Sequence, residues 1–396
     1  MFSLTSTKKV QYIENARRFD MAKLLICGDF SPTKSNEEIL SNGRIDECIG
    51  KELVSIFNNS DFVALNLETS LTNLVNPKTK RGQINRSLPA TVNFLKNANV
   101  NLCFLANNHV IDNGNDGVLD TINTLKKNGI ECMGVGINRE EASKPYIFQY
   151  KKQKIAFINL SNVEFNEPEN GEIGVNTYNP LFSFDLIKET KSKVDFLIVV
   201  FHSGIEYYTY PTPYLQMICR KMIEYGADFV TCQHSHCIGT YEIYNEKTII
   251  YGQGNFLFDD SSKELEKTGL LLQLDTYSGT VQPIPIKKNG ALVMLADSET
   301  SNEILEKYEG RHNELLKEGF INECFHSYAI AHKREYFNSC VGYNKIYKFI
   351  NRISGYSLEN YIFNKVSKMR IYNMLDSISL REVFTEVMKS YRDEEG

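Results

Sequence analysis

Five short runs of apolar residues recur along this chain, and a polar side chain follows each of them. Phe196 to Phe201, for example, is unbroken and is followed directly by His202. An apolar run of this length is typical of a parallel β-strand that is covered on both faces. The polar residues that follow the five runs are, in chain order, Asp29, Glu68, Asn108 with His109, His202, and His234 with His236. In α/β sheets ligands bind at the carboxyl ends of such strands, so we expect these side chains to lie together.

Segments with helical spacing of apolar residues separate the early runs, which favours an α/β fold built from βα units. Ile45 to Phe57, for example, predicts one helix. Later in the chain the pattern changes to antiparallel hairpins, among them Leu270 to Asp275 with Thr280 to Ile286. Pro283 and Pro285 predict that the second arm is an edge strand, because proline donates no hydrogen bond to a neighbouring strand.

The character of the sequence changes again at about Glu299. From there to Ser390 apolar and charged residues alternate at helical spacing, without any strand pattern. We therefore predict three parts: an N-terminal arm at residues 1–22, a main α/β domain at residues 23–298, and a C-terminal helical region at residues 299–396. The histidines of the last region, His312, His326 and His332, have no acidic companions at ligand spacing and are interpreted as structural or surface groups.

Charge and composition exclude several classes of protein. The formal net charge is -5, which gives no electrostatic reason to expect nucleic-acid binding. No run approaches 18 apolar residues, so no membrane span is expected. The nine cysteines are odd in number and never spaced as C-x-x-C. We interpret them as reduced thiols, which predicts a cytoplasmic protein.

The polar residues after the strands suggest a metal site. Carboxylate, amide oxygen and imidazole together suit manganese, iron or zinc, and a carboxylate can bridge two ions. Two alternatives stay open at this point. The histidines could be ordinary loop residues, or Cys232, His234, His236 and Cys237 could form a structural zinc site. The spacing C-x-H-x-H-C is tight for the usual tetrahedral zinc arrangement.

The order of these polar residues resembles the calcineurin-type metallophosphoesterase superfamily and, more closely, the CapA-type capsule-synthesis family. The resemblance covers about residues 23 to 286, and its motifs are Gly28-Asp29, Asn66-Leu67-Glu68, Ala106-Asn107-Asn108-His109 with Asp112 and Gly114, His202-x-Gly204-x-Glu206-Tyr207, Gly226-Ala227-Asp228, His234-x-His236, and Tyr251-x-x-Gly254-Asn255-Phe256. The fold it implies is a β-sandwich of two mixed sheets flanked by helices, an α/β/β/α arrangement, here followed by the C-terminal helices.

The resemblance also implies the ligands of two divalent ions, with manganese first and zinc or iron as alternatives. One ion would take Asp29, Glu68 and His236, and the other would take Glu68, Asn108, His202 and His234. Ser31 stands where the superfamily has a histidine, so the first ion loses a nitrogen ligand and the chain could bind one ion or two. Gln233 replaces a glycine before the histidine pair, which we expect to alter only the turn.

In this family resemblance, His109 and Asn108 are the catalytic residues, with His109 assisting the leaving group when a metal-bound hydroxide attacks phosphorus. Arg86 resembles an Arg-before-Pro segment and is the first candidate contact for an anionic substrate; exposure to solvent is the alternative. Glu206 is a candidate ligand or substrate contact, and Asn255 lies in a loop expected near the site.

Two functions follow as hypotheses. The first is a metal-dependent phosphoesterase-like hydrolase of capsule or exopolysaccharide synthesis, acting on an anionic or phosphorylated small molecule or polymer. The alternative is a non-catalytic accessory protein that assists the synthesis or export machinery of a polymer such as poly-γ-glutamate. Amide hydrolysis of a γ-glutamyl polymer is compatible with the same metals.

Overall fold

The computed structural model describes residues 22–32, 35–77, 83–162, 173–258, 263–290, 292–340, 345–377, 379–381 and 383–384. Of the predicted N-terminal arm, residues 1–21 lie outside this described part. The chain divides into two compact units, Met1–Asn322 and Glu323–Gly396. Within the described ranges, none of the helices is both long enough and apolar enough to cross a bilayer.

The strands in chain order are β1 Lys23–Phe30, β2 Phe62–Leu67, β3 Ser70–Leu71, β4 Arg86–Ser87, β5 Leu102–Phe104, β6 Glu131–Met133, β7 Val135–Gly136, β8 Tyr146–Tyr150, β9 Gln153–Ser161, β10 Gly174–Val175, β11 Phe196–His202, β12 Phe229–Gln233, β13 Tyr241–Tyr244, β14 Lys247–Ile250, β15 Asn255–Leu257, β16 Thr268–Asp275, β17 Val281–Asn289 and β18 Leu292–Leu295. The α-helices are α1 Glu37–Ser41, α2 Ile45–Cys48, α3 Lys51–Asn58, α4 Val92–Asn97, α5 Gly114–Lys127, α6 Arg139–Ala142, α7 Ser183–Lys191, α8 Pro213–Glu224, α9 Ser298–Leu315, α10 Phe320–Cys340, α11 Lys345–Ile353, α12 Ser357–Ile362 and α13 Lys365–Asp376.

Two large mixed sheets form the first unit. The first sheet has the order β18-β17-β16-β1-β2-β5-β6, with β15 also paired to β1, and the second has the order β13-β14-β12-β11-β9-β8. The central strands are parallel in each sheet: β1, β2, β5 and β6 in the first, and β9, β11, β12 and β14 in the second. The strands predicted to carry polar residues at their carboxyl ends are therefore neighbours within their sheets.

Alternation of side chains along the strands explains the layers. In β1, Leu24 and Ile26 point into the core between the sheets, whereas Leu25 and Cys27 point toward the helices on the outer face. The core between the sheets also holds Phe157 and Val200 of the second sheet. Helices cover both outer faces, so the described part of the first unit confirms the predicted α/β/β/α sandwich.

Two local predictions were wrong. The segment Ile45 to Phe57 forms two helices rather than one, because Ile49 is extended and pairs with Val293, while the Gly50 amide donates to the Val293 carbonyl. The strand β17 is not an edge strand, since β18 pairs with it from Ile286 to Asn289. Pro283 and Pro285 lie outside that paired stretch, which is why β17 tolerates them.

The end of the first unit is helical. Helix α9 begins at Ser298, where Asp297 accepts a hydrogen bond from the Thr300 amide and so caps the helix. Its residues Ile304 and Tyr308 join the core between the sheets. His312 has a structural role, because its Nδ1 lies 2.9 Å from the Tyr241 carbonyl oxygen. The described part of the second unit consists of helices.

Candidate metal centre

The two acidic residues of the site come from adjacent strands of the first sheet. Asp29 is the next-to-last residue of β1 and Glu68 follows β2 directly, and the Asp29 side chain is 1% exposed while that of Glu68 is fully buried. The Asn66 amide donates to Asp29 Oδ1 over 2.8 Å, and the backbone amide of His234 donates to Asp29 Oδ2 over 3.2 Å. These contacts fix one carboxylate against the tip of the opposite sheet.

Close backbone approach is required at Gly28, which precedes Asp29 in β1. A Cβ atom on Gly28 would lie 2.1 Å from the carbonyl oxygen of Gly254, so only glycine fits here. The absence of a side chain lets β15 pair in parallel with β1, and Asn255 lies opposite Asp29. The Gly28-Asp29 pair thus brings a second polar loop to the site.

The three histidines come from the tips of two parallel strands of the second sheet. His202 ends β11, and its register partner Gln233 ends β12, so His234 and His236 follow beside it. The rings of His202 and His234 lie 4.8 Å apart. His234 has φ 94° and His236 has φ 53°, which are uncommon values for residues other than glycine. Backbone strain of this kind is held in place by its surroundings and often occurs at functional sites.

These side chains form two groups that share one carboxylate. Potential ligand atoms of Asp29, Glu68 and His236 lie within 4.8 Å of one another, and the same limit holds for Glu68, His202 and His234. Glu68 Oε1 lies 3.5 Å from His202 Nε2 and 3.9 Å from His236 Nε2. The geometry places Glu68 between the two groups, where a bridging carboxylate would lie.

Asn108 extends the second group. Its Oδ1 lies 2.9 Å from Nε2 of His202, the same nitrogen that faces Glu68. An amide oxygen beside a carboxylate and two imidazoles is a donor set accepted by manganese, iron and zinc. Among the described residues, neither group of possible ligands includes Cys232 or Cys237, so the structural zinc alternative has no support.

Burial determines the protonation of His202 and His234. Desolvation lowers the pKa of His234 to about 3, and the neighbouring His236 and His109 add to this effect. Burial also lowers the pKa of His202 well below its usual value, with His234 and His236 contributing repulsion. Both imidazoles are therefore neutral near pH 7, which is the form that binds metals.

The buried carboxylate of Asp29 experiences the opposite effect. Burial raises its pKa, while His236, the Asn66 amide and the His234 backbone amide partly offset the increase. Two buried carboxylates beside three imidazoles are costly to hold without a cation, because each buried charge loses its hydration. A divalent ion would compensate this cost, so the residues present fit a metal.

His109 stands at the side of this cluster. Its Nδ1 lies 2.7 Å from Asp112 Oδ2, and its Nε2 lies 4.0 Å from Glu68 Oε1. Asn107 holds the loop, since its Oδ1 accepts hydrogen bonds from the amides of His109 and Val110. The side chain of His109 is 12% exposed, so it borders the solvent while most of the cluster is covered.

The other predicted site residues are more dispersed. Asn255 Oδ1 lies 2.8 Å from Nδ1 of His236, so Asn255 contacts a predicted ligand directly. Arg86 donates from Nη1 to the Thr72 carbonyl over 3.1 Å, and Glu206 is exposed. Among the described residues, neither Arg86 nor Glu206 belongs to the two ligand groups. Ser31 is buried and its amide donates to the Leu257 carbonyl.

A family model described as "Bacterial capsule synthesis protein PGA_cap" matches residues 23–260, more than half of the chain. The chain belongs to the PGA_cap family. The matched region contains every residue predicted for the site, from Asp29 to Asn255.

The chain is also similar to individual relatives and to a solved structure. The "PGA biosynthesis protein CapA" of Bacillus subtilis (strain 168) is 28% identical over 289 residues, which cover 68% of this chain and 75% of that protein. A "Probable polyglutamine synthesis accessory protein" of Mycobacterium tuberculosis is 26% identical over 223 residues, which cover 52% of this chain and 59% of that protein. A solved structure of a novel phosphatase from Mycoplasma pneumoniae aligns with a TM-score of 0.45 and 18% identity, covering 68% of this chain and 95% of that chain.

A set of buried amides lies behind the ligands of this PGA_cap chain and was not predicted from the sequence. Gln253 is fully buried; its Nε2 donates to the Ile26 carbonyl over 3.1 Å, and its Oε1 accepts from Thr231 and Gln233, each over 3.1 Å. Gln233 also donates to the Cys27 carbonyl of β1 over 3.1 Å. The glutamine in place of the family's glycine therefore links the two sheets, whereas a change in the turn alone was expected. The position of each glutamine within or beside an apolar strand could have indicated that its side chain is buried and hydrogen-bonded.

Proposed function

We propose that this chain is a metal-dependent phosphoesterase-like hydrolase that acts in the synthesis of an anionic capsule polymer. The observation that carries the proposal is the shared position of Glu68 between two ligand groups, with His109 Nε2 4.0 Å from Glu68 Oε1. One or two ions would be held, with manganese first and zinc or iron as alternatives. One would take Asp29, Glu68 and His236, and the other would take Glu68, Asn108, His202 and His234. When bound, such ions activate water and neutralise charge on a phosphoryl group.

His109 is the proposed proton donor to the leaving group. Asp112 accepts a hydrogen bond from His109 Nδ1 over 2.7 Å and so orients the ring with Nε2 toward the cluster. A carboxylate in this position also stabilises the protonated imidazole, as in catalytic triads. Asn108, next to His109, is assigned to both the ligand set and the catalytic pair.

The proposed substrate is anionic, either a phosphorylated small molecule or a polymer of poly-γ-glutamate or polysaccharide type. Support comes from the Bacillus subtilis relative, which is named a PGA biosynthesis protein. Arg86 and Asn255 are the proposed substrate contacts, with Glu206 as a further candidate. The catalytic part would be residues 23–298, and the helices of residues 299–396 would have a separate role.

The test combines metal content with turnover. Purified protein reconstituted with manganese should bind at least one ion per chain and hydrolyse bis-p-nitrophenyl phosphate. His109→Asn should keep its metal and lose about 10²- to 10⁴-fold in kcat, the usual contribution of a general acid. His326→Asn is the matched control, because His326 is exposed and lies outside the ligand groups. Turnover unchanged by His109→Asn, or metal content well under one ion per chain, would overturn the proposal.

A second candidate is a non-catalytic accessory protein of polymer synthesis or export. Ser31, at the position of the superfamily histidine, favours this function, and so does the mycobacterial relative, which is named a probable polyglutamine synthesis accessory protein. Co-purification with a synthase and phosphodiester turnover distinguish the two candidates. An accessory protein would co-purify with a membrane synthase while showing no phosphodiester turnover at any metal concentration.

A further inference from the structure

Helix α11, Lys345–Ile353, exposes the face that soluble proteins normally bury. Ile346, Phe349, Ile350 and Ile353 follow the spacing i, i+3, i+4 and i+7, which places them on one side of the helix. Phe349 is 62% exposed and Ile353 is 70% exposed. The buried residue of this helix is instead polar, because Asn351 is 4% exposed. The apolar face therefore points outward.

Hydrogen bonds explain why the polar side faces inward. Asn351 Nδ2 donates to Glu359 Oε2 over 3.2 Å, and the Glu359 amide donates to Asn351 Oδ1 over 2.9 Å. The Tyr356 amide also donates to the Asn351 carbonyl over 2.8 Å. These three contacts tie α11 to the start of α12 through the side opposite its apolar face. The orientation is thus fixed by specific polar partners.

Basic residues flank the apolar face. Lys345, Lys348 and Arg352 share an adjacent side of α11, at helical positions next to the apolar stripe. Residues 345–376 contain six basic residues and two acidic ones, although the whole chain has a net charge of -5. Positive charge is therefore concentrated in the segment that exposes apolar side chains.

Helix α13 also combines exposed apolar side chains with basic residues. Val366 and Tyr372 are 61% and 60% exposed, and the described part of α13 has no buried residue. A groove of about 560 Å³ lies beside it, where Lys365 and Lys368 stand near Phe363 and Met369. A groove with two ammonium groups beside apolar side chains suits a phosphate with a hydrocarbon attached.

We propose that α11 binds the surface of an anionic phospholipid bilayer, with its apolar face at the boundary between headgroups and acyl chains. A stripe of large apolar residues with a flank of Lys and Arg is the pattern of helices that lie in the membrane interface. A soluble polyanion would engage the basic flank and leave the apolar face in water. A second copy of the chain would cover the apolar face but bring two basic flanks together.

Vesicle sedimentation of the full chain tests this surface. Vesicles of three parts phosphatidylcholine to one part phosphatidylglycerol should pellet the protein, and vesicles of phosphatidylcholine alone should pellet much less. The variant Phe349→Ser/Ile353→Ser should bind the anionic vesicles about tenfold more weakly, because two large apolar side chains no longer enter the lipid. Lys348→Glu/Arg352→Glu should weaken binding to the anionic vesicles and leave the small affinity for neutral ones unchanged.

The matched control is Val75→Ser/Leu181→Ser, which removes two apolar side chains that are 78% and 75% exposed in the first unit. It should bind as the unsubstituted chain does, and circular dichroism should show equal helix content for all variants. Absence of vesicle binding, or an equal loss in the control, would overturn the proposal. A dimer in light scattering that dissociates on Phe349→Ser/Ile353→Ser, without lipid binding, would assign the face to a second copy instead.

Discussion

The depressed pKa of His234 predicts how the metal-free protein responds to acid. Burial and the neighbouring imidazoles lower this pKa from 6.5 to about 3 in the folded state. The imidazole of His234 therefore takes up a proton at a higher pH in the unfolded protein than in the folded protein. Stability from this residue is fully present above pH 6.5 and is lost as the pH falls toward 3. Between pH 7 and pH 5 the loss is about 2 kcal/mol, at 1.36 kcal/mol for each pH unit below 6.5.

Other groups of the site titrate too, so a difference between variants is the quantity to measure. The lowered pKa of His202 acts in the same direction as that of His234, whereas the raised pKa of Asp29 acts against it, because the folded state then takes up a proton more easily. His234→Asn leaves Asp29 and His202 in place. The unsubstituted protein should therefore lose about 2 kcal/mol more than His234→Asn between pH 7 and pH 5.

Urea unfolding in the presence of EDTA, followed by circular dichroism at both pH values, measures this difference. His326→Asn should lose as much stability as the unsubstituted protein, because His326 is exposed. Equal losses in the unsubstituted protein and in His234→Asn would refute the reasoning, since they would mean that His234 has an ordinary pKa in the folded state.

Three further outcomes are expected. Glu68→Gln should remove all bound metal in elemental analysis, because Glu68 belongs to both ligand groups; a retained ion would contradict a bridging role. Asp112→Asn should lower kcat about 10²-fold with metal content retained, since His109 loses the negative charge of the carboxylate 2.7 Å from its Nδ1; unchanged turnover would exclude a positioning role. Gln253→Met should lower the free energy of unfolding by about 2–4 kcal/mol, because buried polar partners lose their bonds, whereas Gln149→Met, at an exposed site, should change it little.

The positions of the possible ligands could be predicted because the strands that carry them are recognisable as apolar runs in the sequence. Phe62 to Leu67 forms a strand with the predicted bounds, and Glu68 follows it as expected. His202 ends β11 for the same reason. In both cases the apolar run fixes the strand, and the parallel pairing brings the strand ends together. The polar residues that directly follow these strands could therefore be predicted to lie close together, whereas Arg86 and Glu206 lie outside the two ligand groups of the described residues.

The supporting contacts could not be predicted in the same way. Whether Gln253 enters the core or faces solvent depends on distant backbone groups, such as the Ile26 carbonyl, that periodicity does not reveal. The break at Ile49 depends on β18, a strand of four residues, Leu292–Leu295, too short to recognise by pattern. These features come from contacts between segments far apart in the chain, which local sequence does not encode.

The possible ligands are divided between the two sheets, with Asp29 and Glu68 on the first and the histidines on the second. A cation held there would cross-link the two sheets, and its binding free energy would add to the stability of the fold. Under metal starvation the protein would open more often, and proteases would remove it sooner. The abundance of this chain would then follow the divalent cation supply of the cell, without any dedicated sensor.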